Sequence, residues 1–179
     1  LRRLLAERLA AQESGLAAGQ LAEQMLVTNG SQQALYLAMQ VLCDPGDIVL
    51  VDRPSYFVFL EMLRGLGVRP LSLPTQEDGA LDLAALRPWL RALHASGQAA
   101  QVKAVYFVSY FSNPSGRSLT EEAKAGLGAA LVAEDWRLPV VEDAAYRELY
   151  FQEPWPARSV LTLPEWRDFP RLYLSTLTK

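Results

Sequence analysis

Two hydrophobic patterns alternate along the chain, one typical of helices and the other typical of buried strands. Leu1, Leu5 and Leu9 recur with the spacing of one helix face. By contrast, Ile48–Val51 and Val102–Val108 are short runs, rich in β-branched and aromatic residues, with almost no polar alternation. Strands that are apolar on both sides are typical of a parallel sheet covered on both faces.

The pattern predicts strands and helices in alternation from one end of the chain to the other. The predicted strands are 25–28, 48–51, 68–73, 102–108, 139–142 and 171–175, and the predicted helices are 1–9, 31–42, 55–65 (or 67), 82–93 and 120–134. This order predicts an α/β fold with three layers, α/β/α, and a mostly parallel sheet. Gln152–Arg167, which contains three prolines and two tryptophans, is predicted to be a surface excursion.

Composition narrows the function classes. The 179 residues carry 17 basic and 20 acidic side chains, a net charge of −3, which argues against a general binder of nucleic-acid backbones. One cysteine, Cys43, and one histidine, His94, exclude an internal disulfide and argue against a Cys/His metal cluster. The longest apolar run, Ala125–Ala133, is too short to cross a bilayer, and no signal peptide is recognisable. We therefore expect a cytoplasmic protein, and, because the first residue is Leu1 rather than Met, an excerpt of a longer chain.

Polar residues follow the predicted strands at the edge where parallel sheets bind ligands. After the first strand, Gly30, Ser31 and Gln32 lie at a helix start, whose free N–H groups suit a phosphate. The alternative is that Ser31 is a plain helix cap. After the second strand, Tyr56 is either a plate for a planar ring or a core residue.

Three further strand ends carry candidate chemistry. Asn113, in an Asn-Pro turn, is either an amide donor to a ligand or only a turn residue. Asp143 follows an apolar strand, where a carboxylate needs a cation or a donor, and Tyr146 lies three residues further on. Lys179 follows the last strand, where an amine is able to form a Schiff base. Together these groups are the set required to hold pyridoxal 5'-phosphate.

In these motifs the chain resembles the large domain of class I and II aminotransferases, which are fold-type I pyridoxal-phosphate enzymes. The similarity is strongest to the 2-aminoadipate, kynurenine and aromatic aminotransferase branch. The matching segments, in the order and approximate spacing of the family, are Thr28–Leu35, Asp44–Asp47, Pro54–Tyr56, Asn113–Gly116, Asp143–Tyr146 and Ser175–Lys179.

The resemblance implies a role for each candidate. Lys179 would carry the cofactor as a Schiff base, and Asp143 would pair with the ring nitrogen. Tyr146 and Asn113 would hydrogen-bond the phenolate oxygen of the cofactor, and Tyr56 would stack on its ring. The phosphate would be held by Gly30, Ser31, Gln32 and Thr176. The catalytic residues among these would be Lys179, Asp143 and Tyr146, and no metal is implied.

The resemblance also implies a reaction and an assembly. The activity would be the transfer of an amino group from an L-amino acid to a 2-oxo acid by a ping-pong mechanism, in a homodimer. Residues 1–179 would form an incomplete large domain, without the N-terminal arm and the C-terminal small domain that supplies the arginine for the substrate carboxylate. We therefore expect the fragment to be inactive by itself, and we expect no membrane or nucleic-acid partner for this domain.

Three alternatives remain to be weighed. A winged-helix transcription regulator with an aminotransferase-like effector domain would carry the same motifs, as would a fold-type I lyase or synthase. Gly126–Leu131 imitates part of a dinucleotide-binding fingerprint, but it lacks the last glycine and lies inside a predicted helix, so we reject that reading. We interpret these glycines as a small-residue face for helix–sheet packing, and Arg147 and Glu148 as a solvated or interface pair.

Overall fold

The computed structural model describes all 179 residues and confirms the predicted α/β fold. Five parallel strands form one sheet in the order β2-β1-β3-β4-β5. The strands are β1 (Ile48–Val51), β2 (Arg69–Ser72), β3 (Val102–Val108), β4 (Val140–Asp143) and β5 (Arg171–Leu174). The helices are α1 (Arg2–Gln12), α2 (Ala18–Gln24), α3 (Gly30–Leu42), α4 (Phe57–Gly65), α5 (Leu83–Ala95) and α6 (Glu121–Ala133), with short 3₁₀ turns at Ala99–Gln101 and Pro164–Trp166.

Two separate hydrophobic cores cover the two faces of the sheet, which confirms the three-layer arrangement. On one face, Leu35 of α3 and Phe59 of α4 pack against Val49 and Val141. On the other face, α5 and α6 pack against alternate strand residues, with Leu86, Leu90, Leu127 and Leu131 fully or almost fully buried. None of the helices combines the length and the apolar character needed to cross a bilayer.

Local capping explains where two helices begin. The Asp82 carboxylate accepts hydrogen bonds from the Ala84 and Ala85 N–H groups at the start of α5. The Thr120 hydroxyl accepts one from the Ala123 N–H at the start of α6. Each cap satisfies main-chain donors that the first helical turn leaves without a partner. The chain enters β1 through a turn in which Gly46 has a φ of +96°, a conformation that favours glycine.

The strand order reverses between β1 and β3. From β1 the chain passes to β2 on one side, and then returns to place β3, β4 and β5 on the other side. At such a switch point the loops after the two neighbouring strands diverge and leave a crevice at their carboxyl ends. The loops that follow β1 and β3 contain Tyr56 and Asn113, so the topology places both at this crevice.

The prediction of a strand at 25–28 is wrong. Met25–Thr28 has extended or irregular backbone but pairs with no strand, and the Leu26 and Val27 side chains are 86% and 54% exposed. A strand needs the hydrogen bonds of a neighbour, and the five-stranded sheet places none beside this segment. Helix α2, which precedes the segment, was not predicted from the sequence.

The prediction of a surface excursion at Gln152–Arg167 is also wrong for its second half. Val160, Leu163 and Trp166 are buried and belong to the core beneath α6. The Trp166 indole lies against Gly128, where an added Cβ would come within 2.9 Å of the ring. The two glycines of α6 therefore accommodate side chains: Gly128 makes room for the Trp166 indole and Gly126 for the Leu83 side chain. They do not pack against the sheet, contrary to the prediction from the sequence.

Arg147 and Glu148 do not pair with each other, and only Glu148 is exposed to solvent. Arg147 forms a salt bridge with the buried Glu13 and hydrogen-bonds the Tyr173 hydroxyl, whereas Glu148 pairs with Arg8 of α1. Both contacts tie the segment after β4 to the region of α1. The expected surface pair is thus replaced by two separate links across the fold.

Candidate active site

The N-terminus of α3 has main-chain donors without a cap. Its N-cap residue, Asn29, makes no side-chain cap hydrogen bond, and Gly30 begins the helix with a φ of +78°. Ser31 lies inside the first turn, so the alternative of Ser31 as the cap is wrong. The Ser31 and Gln32 N–H groups make no hydrogen bond within the chain. These donors and the positive end of the helix dipole are suited to an anion.

Tyr56 lies at the start of α4, across the crevice from α3. It is the N-cap residue of α4 and is half-buried. Its hydroxyl accepts a hydrogen bond of 3.1 Å from the Gln32 side-chain amide. This bond joins the loop after β1 to the anion-suited end of α3.

Asn113 lies in a tight turn after β3. The turn is closed by the Ser112 N–H, which donates to the Arg117 carbonyl at 2.7 Å, and by the Gly116 N–H, which donates to the Ser112 carbonyl at 2.5 Å. The Asn113 side-chain amide makes no hydrogen bond within the chain. Its donor and acceptor therefore remain available at the crevice.

Asp143, the last residue of β4, is a buried carboxylate with two donors. It is 4% exposed. The Tyr106 hydroxyl donates to Oδ2 at 3.0 Å, and the Ala145 N–H donates to Oδ1 at 3.0 Å. Burial raises the pKa of Asp143, while the two hydrogen bonds and the positive charge of Lys179 act in the opposite direction.

Lys179 and Tyr146 face each other at the open side of the crevice. The Lys179 Nζ atom lies 5.3 Å from the centre of the Tyr146 ring, within the range of a cation–π contact. The lysine itself is exposed, and it follows β5 after an irregular segment with a bend at Leu177. Thr178, beside it, lines the same space.

One cavity of about 350 Å³ unites these side chains. It contains eight of the nine predicted site residues: Gly30, Ser31, Gln32, Tyr56, Asn113, Asp143, Tyr146 and Lys179. Thr176 is the exception, because it does not line the cavity. Its Oγ1 atom instead lies 2.9 Å from that of Thr178 and accepts a hydrogen bond from the Thr178 N–H at 3.3 Å.

The family is established by comparison with known proteins. The sequence model of the protein family "Aminotransferase class I and II" matches residues 1–179, which is the whole chain. The chain belongs to this family.

Three relatives show what this aminotransferase-family chain is similar to. It is 37% identical over 131 residues to the 2-aminoadipate transaminase of Thermus thermophilus, covering 73% of the chain and 30% of that protein. It is 33% identical over 139 residues to the uncharacterized HTH-type transcriptional regulator YdcR of Escherichia coli, covering 76% of the chain and 28% of that protein. A crystal structure of LysN, the α-aminoadipate aminotransferase of Thermus thermophilus, in complex with N-(5'-phosphopyridoxyl)-L-leucine, superposes with a TM-score of 0.74.

The LysN structure is 32% identical to this chain and is matched over 99% of the chain and 41% of LysN. The matches cover 28% of YdcR and 30% of the 2-aminoadipate transaminase, so the chain spans about a third of the length of these two curated relatives. It supplies the sheet and the strand-end loops that surround the cavity.

Sequence reasoning missed several contributors to this aminotransferase-family site, and two of them lie on β3. The Tyr106 hydroxyl donates a hydrogen bond to Asp143, and Val108 lines the cavity. Both lie inside β3 and have the apolar surroundings of ordinary core residues. The signal that identifies them is register: Val108 is paired with Asp143, and Tyr106 lies two positions earlier on the same face.

Proposed function

We propose that the protein containing this chain is a pyridoxal-phosphate-dependent aminotransferase that moves an amino group from an L-amino acid to a 2-oxo acid. One observation carries the proposal: a single cavity is lined by Lys179, by the carboxylate of Asp143 and by the uncapped start of α3. These are an amine, an anion and an anion-binding helix end, in the places where one ligand is able to contact all three.

The residues present fit pyridoxal phosphate in their donor set. The free N–H groups of Ser31 and Gln32 and the Ser31 hydroxyl are suited to the phosphate. The Asn113 amide and the Tyr146 hydroxyl are suited to the phenolate oxygen, and Tyr56 offers its ring as a stacking plate. When bound, the cofactor supplies an electron sink for the charge that develops at the substrate Cα.

The chain's own side chains would perform the proton chemistry. Asp143 would hold a proton on the ring nitrogen of the cofactor, because a buried carboxylate stabilises a cation beside it. The Lys179 amine would bind the cofactor covalently and, once released by substrate, would carry a proton from the substrate Cα as a general base. Thr176 would support the site indirectly through its contact with Thr178.

The covalent link provides the sharpest test. The full-length protein, loaded with pyridoxal phosphate, should absorb visible light, and borohydride should fix the cofactor on Lys179, as located by peptide mass spectrometry. This chain offers only two other lysines, Lys103 and Lys124. Lys179→Ala should abolish both labelling and amino transfer, while Lys103→Ala, a surface lysine on β3, should retain both. Labelling of another lysine, or turnover by Lys179→Ala at the wild-type rate, would refute the assignment.

The similarity to YdcR favours a second candidate, a transcription regulator whose effector domain binds the same cofactor. Such a protein would take up pyridoxal phosphate on Lys179 but would not catalyse repeated amino transfer. Incubation of the full-length protein with 2-oxoglutarate and a panel of ¹⁵N-labelled L-amino acids separates the two. Formation of ¹⁵N-labelled glutamate indicates an aminotransferase. Cofactor fixed on Lys179 by borohydride, with no labelled glutamate and with specific binding to duplex DNA, indicates a regulator.

We further propose that residues 1–179 are an incomplete large domain and that the whole protein is a homodimer with a small domain that binds the substrate carboxylate. The chain covers only 30% of the 2-aminoadipate transaminase, which supports the incomplete domain, and the resemblance to the family supports the homodimer and the small domain. The cytoplasmic location stays a prediction. Analytical ultracentrifugation of the full-length protein tests the dimer, and a transamination assay of residues 1–179 tests the expected inactivity.

A further inference from the structure

We propose that Tyr106 is a positioning residue, whose hydroxyl fixes the Asp143 carboxylate for the ring nitrogen of the cofactor. The inference rests on the proposed function and deepens it. Tyr106 does not line the cavity, so it would act only through Asp143.

The position of the Tyr106 hydroxyl is rigidly determined. Tyr106 is fully buried in the middle of β3, and its ring stacks on that of Phe59 with centroids 3.8 Å apart and an interplanar angle of 28°. Phe59 is itself fully buried on α4. Because both rings are held by close packing, the phenol has no room to rotate away from Asp143.

The two donors to Asp143 fix its plane but leave part of its hydrogen-bonding capacity free. Tyr106 binds Oδ2 and the Ala145 N–H binds Oδ1, each at 3.0 Å. A carboxylate has about four acceptor sites. Asp143 therefore retains lone pairs for a ring N–H in the cavity that it lines. One donor on each oxygen also prevents the carboxyl group from rotating. A contact with the ring nitrogen requires this fixed orientation.

The charge state of Tyr106 suits this role. Burial and the nearby Asp143 and Asp52 carboxylates raise the pKa of Tyr106 far above the ordinary range, so the phenol stays a neutral donor. As a donor it favours the ionised form of Asp143, against the burial that favours the neutral form. The other charged or titratable groups near this pair are Lys179, which acts on Asp143, and Tyr56, which acts on Tyr106.

Tyr110 provides a matched control for a purely structural role. It is also fully buried, and its hydroxyl donates a hydrogen bond of 3.1 Å to the Ala157 carbonyl and accepts one of 3.4 Å from Lys124 Nζ. It does not line the cavity, and it makes no hydrogen bond to Asp143. Tyr110→Phe therefore removes a buried, hydrogen-bonded tyrosine hydroxyl that has no direct contact with Asp143.

The experiment compares the full-length wild-type protein with Tyr106→Phe and Tyr110→Phe. Both variants should lower the midpoint of denaturant unfolding. Only Tyr106→Phe should raise the pyridoxal phosphate concentration for half-saturation, by about tenfold, as expected for the loss of a hydrogen bond to a charged group. It should also shift the pH midpoint of the visible absorbance of the bound cofactor by about half a unit or more.

A second variant guards against a general packing effect. Phe59→Leu keeps the Tyr106 hydroxyl but loosens its ring, so it should change both cofactor measurements in the same direction by a smaller amount. If Tyr106→Phe matches the wild type in both cofactor measurements, or if Tyr110→Phe changes them equally, the positioning role is refuted. If the wild-type protein itself takes up no pyridoxal phosphate, the proposed function fails first, and this inference fails with it.

Discussion

Two neighbouring carboxylates on β4, Glu142 and Asp143, point to opposite faces of the sheet and have very different surroundings. Glu142 is 0% exposed and Asp143 is 4% exposed, so burial alone does not distinguish them. Four donors surround Glu142, which are the hydroxyls of Ser109 and Ser159, the Val160 N–H and the Lys124 ammonium group. Asp143 has two donors and faces a cavity.

The difference shows how one strand supplies both a structural and a candidate functional acid. Glu142 and Lys124, both fully buried, form an ion pair with 3.4 Å between Nζ and Oε1. A buried ion pair surrounded by further donors has little capacity left for a ligand. An acid with unused acceptor sites beside a cavity does have that capacity, and acids of this kind concentrate at functional sites.

The largest expected effect is on stability, from the structural acid. Glu142→Gln should lower the free energy of unfolding by about 3–5 kcal/mol, because it leaves the Lys124 ammonium buried without its counter-charge. Urea unfolding of the full-length protein followed by circular dichroism measures this. Adding Lys124→Met to Glu142→Gln should recover part of the lost stability. If Glu142→Gln alone is as stable as the wild type, the structural role of Glu142 is refuted.

The next effect is on activity, from the candidate functional acid. Asp143→Asn should lower kcat/KM for amino transfer by about a hundredfold to a thousandfold, as is typical when one preorganised electrostatic group is removed. The free energy of unfolding should stay the same or rise, because burial disfavours the Asp143 charge. The comparison between the two acids breaks down if Asp143→Asn unfolds the protein as strongly as Glu142→Gln.

A partly buried acid, Asp52, sharpens the comparison through its pH dependence. In Asp52, after β1, Oδ2 accepts a 3.0 Å hydrogen bond from the Val108 N–H and Oδ1 has no partner. Burial raises the pKa of Asp52 from 3.8 to about 6. A raised pKa means that the folded state binds the proton more tightly, so this contribution to stability is complete below pH 4 and is lost as the pH rises through 6.

Asp52→Asn removes this pH-dependent term. Relative to the wild type, the variant should therefore gain stability between pH 4 and pH 7, by on the order of 2 kcal/mol. Thermal or urea unfolding at a series of pH values measures the difference curve. A flat difference between the two proteins across this interval would show that Asp52 titrates normally.

The smallest effect is expected from an exposed acid. Glu61 pairs with Arg64 on α4 at 2.9 Å, but the two side chains are 63% and 79% exposed. Glu61→Gln should change the free energy of unfolding by no more than about 0.5 kcal/mol, since exposed pairs are screened by solvent. This variant sets the baseline in the same urea assay, and a loss above 1 kcal/mol would mean that charge at α4 has a larger part than its exposure indicates.

Much of the fold was predictable because its strands are wholly apolar and its helices are well marked. Val102–Val108 was located to the residue, and the caps Asp82 and Thr120 mark the starts of α5 and α6. Burial that depends on distant partners was not predictable. Trp166 is buried because Gly128 has no side chain and so leaves space for the indole. The indole Nε1–H donates a hydrogen bond of 2.9 Å to the Lys124 carbonyl.

The candidate site divides in the same way. Residues in strand-end loops, such as Lys179 and Asn113, were predictable because parallel strands collect their following loops at one edge. Tyr106 was not, because its role depends on which strand lies beside β3 and in which register. Thr176 was assigned to the phosphate by resemblance, and the structure brings its hydroxyl to Thr178 instead of the cavity.

The buried Glu13 has a consequence for how the chain is assembled. Its carboxylate accepts hydrogen bonds from the Ser159 N–H at 2.8 Å and from the Thr162 hydroxyl at 2.8 Å, and it pairs with Arg147. These partners are synthesised more than a hundred residues after Glu13, and contacts of such long sequence separation close late. On the ribosome, the end of α1 gains this full set of contacts only after residue 162 has emerged, so it is anchored late although it is synthesised first.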